Sequence, residues 1–152
     1  SAGLLIVADS QSSSQVGDVS RFRGVDLLTP TEHEARVSLR EQDAGLVVLA
    51  ERLRAGSEAR HVVLKLGAEG ALLHFGEHGG EPRTDRIPSL NPYPQDVAGA
   101  GDSLLITASM ALASGTSPWL AAYLGSVAAA IQVGSVGNVS LRASDLRDEV
   151  KG

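Results

Sequence analysis

At 152 residues, with 43% hydrophobic but only 3% aromatic side chains, the chain packs a sizeable core from Val, Leu, Ile and Ala rather than from rings. That composition suits one α/β layer domain, and the absence of cysteine excludes disulfides, a zinc knuckle and thiol chemistry. A net charge of −5 argues against nucleic-acid binding, which calls for a basic face.

The first apolar run, Leu4 to Ala8, is too short for a signal peptide or a membrane span, so a cytoplasmic protein without a membrane partner is expected. It reads as a strand buried on both faces, ending at Asp9. Residues 10–17 are small and polar, a loop leaving the carboxyl end of the strand, where open α/β sheets place their ligands. Arg21 to Gly24 turns the chain into a second short strand, Val25 to Leu28. Pro30 stops that strand, and Thr31 with Glu34 has the spacing of a capping box, so a helix is expected over Glu32 to Arg40. Another helix covers Asp43 to Ala55, with Leu46, Leu49, Ala50 and Leu53 on one face and Gly56 as its stop.

His61 to Leu66 reads as a strand, and the tight turn Gly67 to Gly70 leads into Ala71 to Phe75 as a hairpin. Lys65 interrupts the apolar run and has two readings. It snorkels to the surface, or it directs a cation toward bound phosphates. His74 and His78 flank the following turn and are expected in solvent, and no histidine pair has the spacing of a zinc site. Thr84 to Pro88 is a further strand, and Asn91 to Pro94 a stiff linker.

Next comes Asp96-Val97-Ala98-Gly99-Ala100-Gly101-Asp102, just before a run in which Leu104, Leu105, Ala108, Met110, Ala111, Leu112 and Gly115 keep helical spacing. Gly99, Ala100 and Gly101 therefore stand at a helix start, where backbone N–H groups lack helical partners and attract anions such as phosphate. Asp102 either complements that helix start, or accepts a proton from a hydroxyl attacking the phosphate. Ser117-Pro118 opens another helix with Leu120, Tyr123, Leu124, Val127 and Ile131 as its apolar face. Gly134, Gly137 and Asn138 end it, and Ser144 caps a last helix over Asp145 to Val150.

Four segments together resemble the nucleotide-binding part of the ribokinase (carbohydrate kinase) family: Asp96 to Asp102, Leu28 to Ala35, Lys65 to Ala71, and Ala128 to Gly137. Asp9-Ser10-Gln11 and Phe22 to Pro30 are most similar to its heptose-7-phosphate kinase branch. The resemblance implies a three-layer α/β sandwich with a mostly parallel central sheet. It also implies that residues 1–152 are a single ATP-binding domain, the carboxyl-terminal half of a larger kinase whose amino-terminal half carries the sugar site and lid.

By the same resemblance, Asp102 is the general base toward a sugar hydroxyl, and the backbone N–H groups of Ala100, Gly101 and Asp102, in the turn that Gly99 opens, form the anion hole that steadies the transferring phosphoryl group. Glu34 holds the Mg²⁺ of Mg-ATP through water. Lys65, Gly67 and Gly70 approach the ATP phosphates, while Ser126, Val133, Gly134 and Gly137 line the base pocket. Partners implied are ATP/ADP, a sugar or sugar phosphate, and a second copy or separate half covering an exposed sheet edge. Three positions depart from the family pattern: Thr31 for Asn, Ala98 for Thr and Ser126 for Asn. They keep open the alternative of a non-catalytic nucleotide-binding or interaction module. A dehydrogenase fits poorly because the third glycine of G-x-G-x-x-G is missing, and no glycine-lysine-Ser/Thr triplet makes a P-loop.

Overall fold

A computed structural model describes residues 4–9, 19–77, 80–137 and 139–151. The expected loop at 10–17 (with Ser10 and Gln11), His78 and Asn138 lie outside the described residues. The chain divides into two compact units, Ser1–Gly67 with Ala71–Arg86, and Ala68–Gly70 with Ile87–Gly152.

The first unit is built on a five-stranded sheet in the order β1-β2-β3-β4-β5, with β1 at Val7–Ala8, β2 at Leu27–Leu28, β3 at His61–Lys65, β4 at Ala71–Phe75 and β5 at Arg83–Ile87. The first three strands are parallel, and β4 returns antiparallel to β3, as the Gly67–Gly70 turn dictates. Val62, Val63 and Leu64 are fully buried, the pattern of a strand covered on both faces. The expectation for Leu4 to Ala8 is corrected. Leu4 is 83% and Ile6 45% exposed, because among the described residues β1 is the sheet edge and pairs over two residues.

Helix α1, Glu32–Leu39, starts with the expected capping box: the Glu34 N–H donates to Thr31 Oγ1 at 3.2 Å, and the Thr31 N–H donates to Glu34 Oε2 at 2.7 Å. It stops one residue early, since Arg40 takes the left-handed conformation (φ 51°) that terminates helices. Helix α2, Leu46–Gly56, begins three residues later than Asp43, capped by Gly45. Leu49, Ala50 and Leu53 drive its core face, with Leu46 partly packed beside them. His74 is a correction: it is buried, because β4 lies inside the sheet, and its ring joins Thr84 on β5 to Glu51 on α2.

The second unit contains three helices: α3, Ala100–Ala113; α4, Pro118–Val133; and α5, Ala143–Lys151. Ser117 caps α4 by accepting from the Leu120 N–H at 3.2 Å, with Pro118 at the first helical position. The expected apolar run is narrowed on α3 and displaced on α4. On α3 the buried side is Leu104, Ala108 and Ala111, leaving Met110 exposed. On α4 it is Ala121, Ala122, Gly125, Val127 and Ala128 with Gln132, leaving Leu120 exposed. Small residues are what allow the two helices to approach, so the bulky ones point elsewhere. Helix α5 begins two residues before Asp145. Ser144 lies within its first turn, and Asp145 reaches back to accept from the Arg142 N–H at 2.8 Å.

Candidate functional site

In the first unit the carboxyl ends of three parallel strands lie side by side, the place where open α/β sheets take ligands. Asp9 follows β1, Thr29 and Pro30 follow β2, and Lys65 ends β3. Thr31 makes a parallel bridge to Lys65, and the Lys65 N–H donates to the Pro30 carbonyl at 2.8 Å. The register thus sets the cap of α1, and with it Glu34, beside Lys65. Glu34 is buried, and its Oε2 is occupied by the Thr31 N–H. Neither of the two readings of Lys65 anticipated its actual partner. Its ammonium donates to both oxygens of Asp9, at 3.0 and 2.8 Å, with side chains only 17% and 13% exposed. Gly67 opens the following turn at φ +59°, a conformation that favours glycine.

In the second unit Gly99 caps α3 in the left-handed region at φ +76°, without any side-chain cap bond. Ala100 N–H makes a long bond to the Val97 carbonyl at 3.4 Å. Among the described residues the N–H groups of Gly101 and Asp102 have no acceptor, as the first turn of a helix demands. These two donors, with the weakly held one of Ala100, are the backbone groups left open at this helix start. Asp102 occupies the third helical position with its side chain exposed, and it makes no hydrogen bond or ion pair among the described residues. It therefore does not close a capping box, although a carboxylate there still complements the helix dipole.

Asp96 has a structural role the sequence reading did not assign. Its Oδ1 accepts from the Ala98 N–H at 2.9 Å, its Oδ2 from the Gly137 N–H at 3.3 Å, and its own N–H donates to the Val133 carbonyl at 3.2 Å. One residue thus ties the turn before α3 to the turn after α4, bringing Val133 and Gly137 next to the Asp96–Asp102 loop. The Asp-x-Ala/Gly pattern of an Asx turn is the signal that could have found it. Gly134 lies against Asn91, whose Nδ2 would be 3.1 Å from an added Cβ. Gly70, at φ +91°, lies so close to the end of β5 that a Cβ would stand 2.1 Å from the Ile87 carbonyl oxygen. Ser126 donates its hydroxyl to the Ala122 carbonyl at 2.9 Å, one turn back in α4.

Residues 2–143 match the family described as pfkB family carbohydrate kinase. The chain belongs to the pfkB family of carbohydrate kinases. Among its pfkB-family relatives is the bifunctional protein HldE of Geotalea uraniireducens, 35% identical over 152 residues that span 97% of this chain and 29% of that protein. HldE of Pectobacterium atrosepticum is 30% identical over 99% of this chain and 30% of its own length. The chain therefore spans less than a third of these relatives. Its fold is that of ribokinase-like enzymes. Ribokinase from Thermotoga maritima superposes with a TM-score of 0.80 at 24% identity, over 97% of this chain and 49% of that one. Ribokinase from Arabidopsis thaliana, solved with ribose and ATP, gives 0.78 at 18% identity, over 98% and 48%.

Proposed function

We propose that this pfkB-family chain serves ATP-dependent phosphoryl transfer to a sugar hydroxyl, with heptose 7-phosphate as the acceptor. The observation that carries the reading is the start of α3, where two unpartnered N–H groups stand next to an exposed, unpaired carboxylate. A phosphate explains the first and an incoming hydroxyl explains the second. In the transfer, Asp102 takes the hydroxyl proton while the hydroxyl oxygen bonds to the γ-phosphorus and the bond to the ADP oxygen breaks. The N–H groups of Gly101 and Asp102, set by the left-handed turn at Gly99 and assisted by Ala100, take up charge on the moving phosphoryl oxygens.

Resemblance to the family assigns phosphate and metal contacts to Lys65, Glu34 and the Gly67–Gly70 turn in this reading. Lys65 offers a cation, and the turn between Gly67 and Gly70 offers close backbone approach. Glu34 has Oε1 left for a hydrated Mg²⁺, since Oε2 is spent on the cap of α1. When bound, the metal neutralises phosphate charge. Val133, Gly134 and Gly137 line the base pocket with Ser126. A cytoplasmic location, and pairing with a second copy or an amino-terminal half at the exposed β1 edge, belong to the same proposal. Among the described residues no helix is long and apolar enough to cross a membrane.

The Ser126 hydroxyl, spent on Ala122, favours one competing reading, a nucleotide-binding module that has lost turnover. Calorimetric titration with Mg-ATP separates the outcomes. Saturable binding by the wild type and none by Gly101→Val supports the site. A folded wild type that binds no ATP at millimolar concentration overturns it. Binding without transfer to heptose 7-phosphate, even after the amino-terminal half is supplied, selects the module.

A further inference from the structure

The Asp9–Lys65 pair is expensive as a purely structural device. Strands lie about 4.8 Å apart, so β1 and β3 are separated by nearly twice that, and the two side chains must span the end of β2 to meet. Nearly buried ion pairs of this kind contribute little net stability, yet losing one partner leaves an uncompensated charge. Asp9 follows a two-residue strand, ahead of which Leu4 and Ile6 are exposed. Its two oxygens, at 3.0 and 2.8 Å from Nζ, occupy the positions a phosphate would take on the same ammonium.

We infer that Asp9 is an internal stand-in for phosphate: its carboxylate holds Lys65 until a polyphosphate arrives, and it is displaced from the ammonium when the polyphosphate binds. This rests on the proposed role of Lys65 in nucleotide binding and adds a regulatory contact to it. The exchange sets a threshold on affinity, because every binding event must break the carboxylate–ammonium pair. It also keeps the ammonium charge-neutralised when no nucleotide is present.

The test uses inorganic tripolyphosphate on the full chain, comparing wild type with Asp9→Asn. Removing the internal competitor should tighten binding about tenfold. Saturation should also raise the melting temperature of Asp9→Asn more than that of the wild type, since its ammonium regains an anion. Equal or weaker binding by Asp9→Asn overturns the inference. Should that variant fail to fold, the wild type decides through the ¹³C resonance of the Asp9 carboxylate. A shift on saturation supports displacement, and no shift, or no binding, overturns it. A wild type that binds Mg-ATP in a Gly101-dependent manner while the Asp9 resonance stays still would sink this inference and leave the kinase reading standing.

Discussion

Gly125 on α4 lies against the backbone carbonyl of Leu104 on α3, so close that a Cβ there would be 2.8 Å from the oxygen. Real Cβ atoms do not come this near to a carbonyl, so the contact is open to glycine alone. The buried side of α4 is accordingly made of Ala121, Ala122, Gly125 and Ala128, with Val127 as its largest aliphatic side chain.

Gly125→Ala should therefore destabilise the chain even though alanine is the better helix former. Overpacking of this kind costs about 1–3 kcal/mol, against a propensity gain of up to about 1 kcal/mol. A net loss of up to about 2 kcal/mol is expected in urea unfolding. An unchanged or raised midpoint would show that α3 and α4 separate freely.

The turn at Gly70 is more demanding still. A side chain there faces both a positive φ of 91° and the Ile87 carbonyl oxygen at 2.1 Å. Gly70→Ala should cost more than Gly67→Ala, whose Cβ would meet nothing within 4 Å and bears only the backbone strain. Comparing the two melting temperatures checks the order, and a smaller loss at Gly70 would contradict it.

The capping box of α1 gives a quantitative expectation. Thr31→Ala removes the acceptor for the Glu34 N–H and should cost about 1 kcal/mol. Thr31→Asn, which restores the family's usual residue, should keep the cap, because Asn is as good at that position. Chemical denaturation of both variants decides. No loss in Thr31→Ala would mean that the Oγ1 contact at 3.2 Å carries no stability, and equal losses that Asn does not restore the cap.

Acid should weaken the chain through Glu51. The Arg54 guanidinium, forked onto its carboxylate at 2.8 and 2.9 Å, holds the Glu51 pKa down at about 2 from its ordinary 4.5. Partial burial pushes the other way, and His74 adds to the lowering. A group with a lowered folded value stabilises fully above its ordinary value and loses that contribution as pH falls from 4.5 toward about 2. Glu51→Gln should therefore lower the melting temperature at pH 7 and differ less from the wild type near pH 3. A difference that does not change with pH would contradict the assignment. Because a carboxylate can only accept, His74 donates from Nε2 to Glu51, while its Nδ1 lies 2.8 Å from the Thr84 hydroxyl.

Asp102→Asn separates binding from chemistry. Removing a carboxylate beside the proposed phosphate site relieves like-charge repulsion, so Mg-ATP should bind as tightly as before or a few-fold tighter. Any phosphoryl transfer should fall by about 10²–10⁴-fold, the range for loss of a general base. Calorimetry and a coupled ADP assay read the two effects. Unchanged transfer would remove Asp102 from the chemistry.

Several features were legible in the residues because their physics is local. The capping box at Thr31 and Glu34, the Ser117-Pro118 helix start, the Gly67–Gly70 hairpin and the glycine cap of α3 each satisfy backbone groups within a few residues. Sequence spacing suffices for such bonds. Burial was not legible in the same way, since it depends on what packs opposite. His74 is inside because β4 lies between β3 and β5, and Leu4 is outside because, among the described residues, β1 has a neighbour on one side alone. The buried face of α4 follows from how closely α3 approaches, which rewards small residues over the large ones that mark a face by hydrophobicity. The Lys65–Asp9 pair joins residues 56 positions apart, and the Asp96–Gly137 bond joins residues 41 apart. Local sequence specified the helix start that an anion would meet. Only tertiary structure, by bringing distant chain ends of parallel strands to one edge, decided which charge faces which.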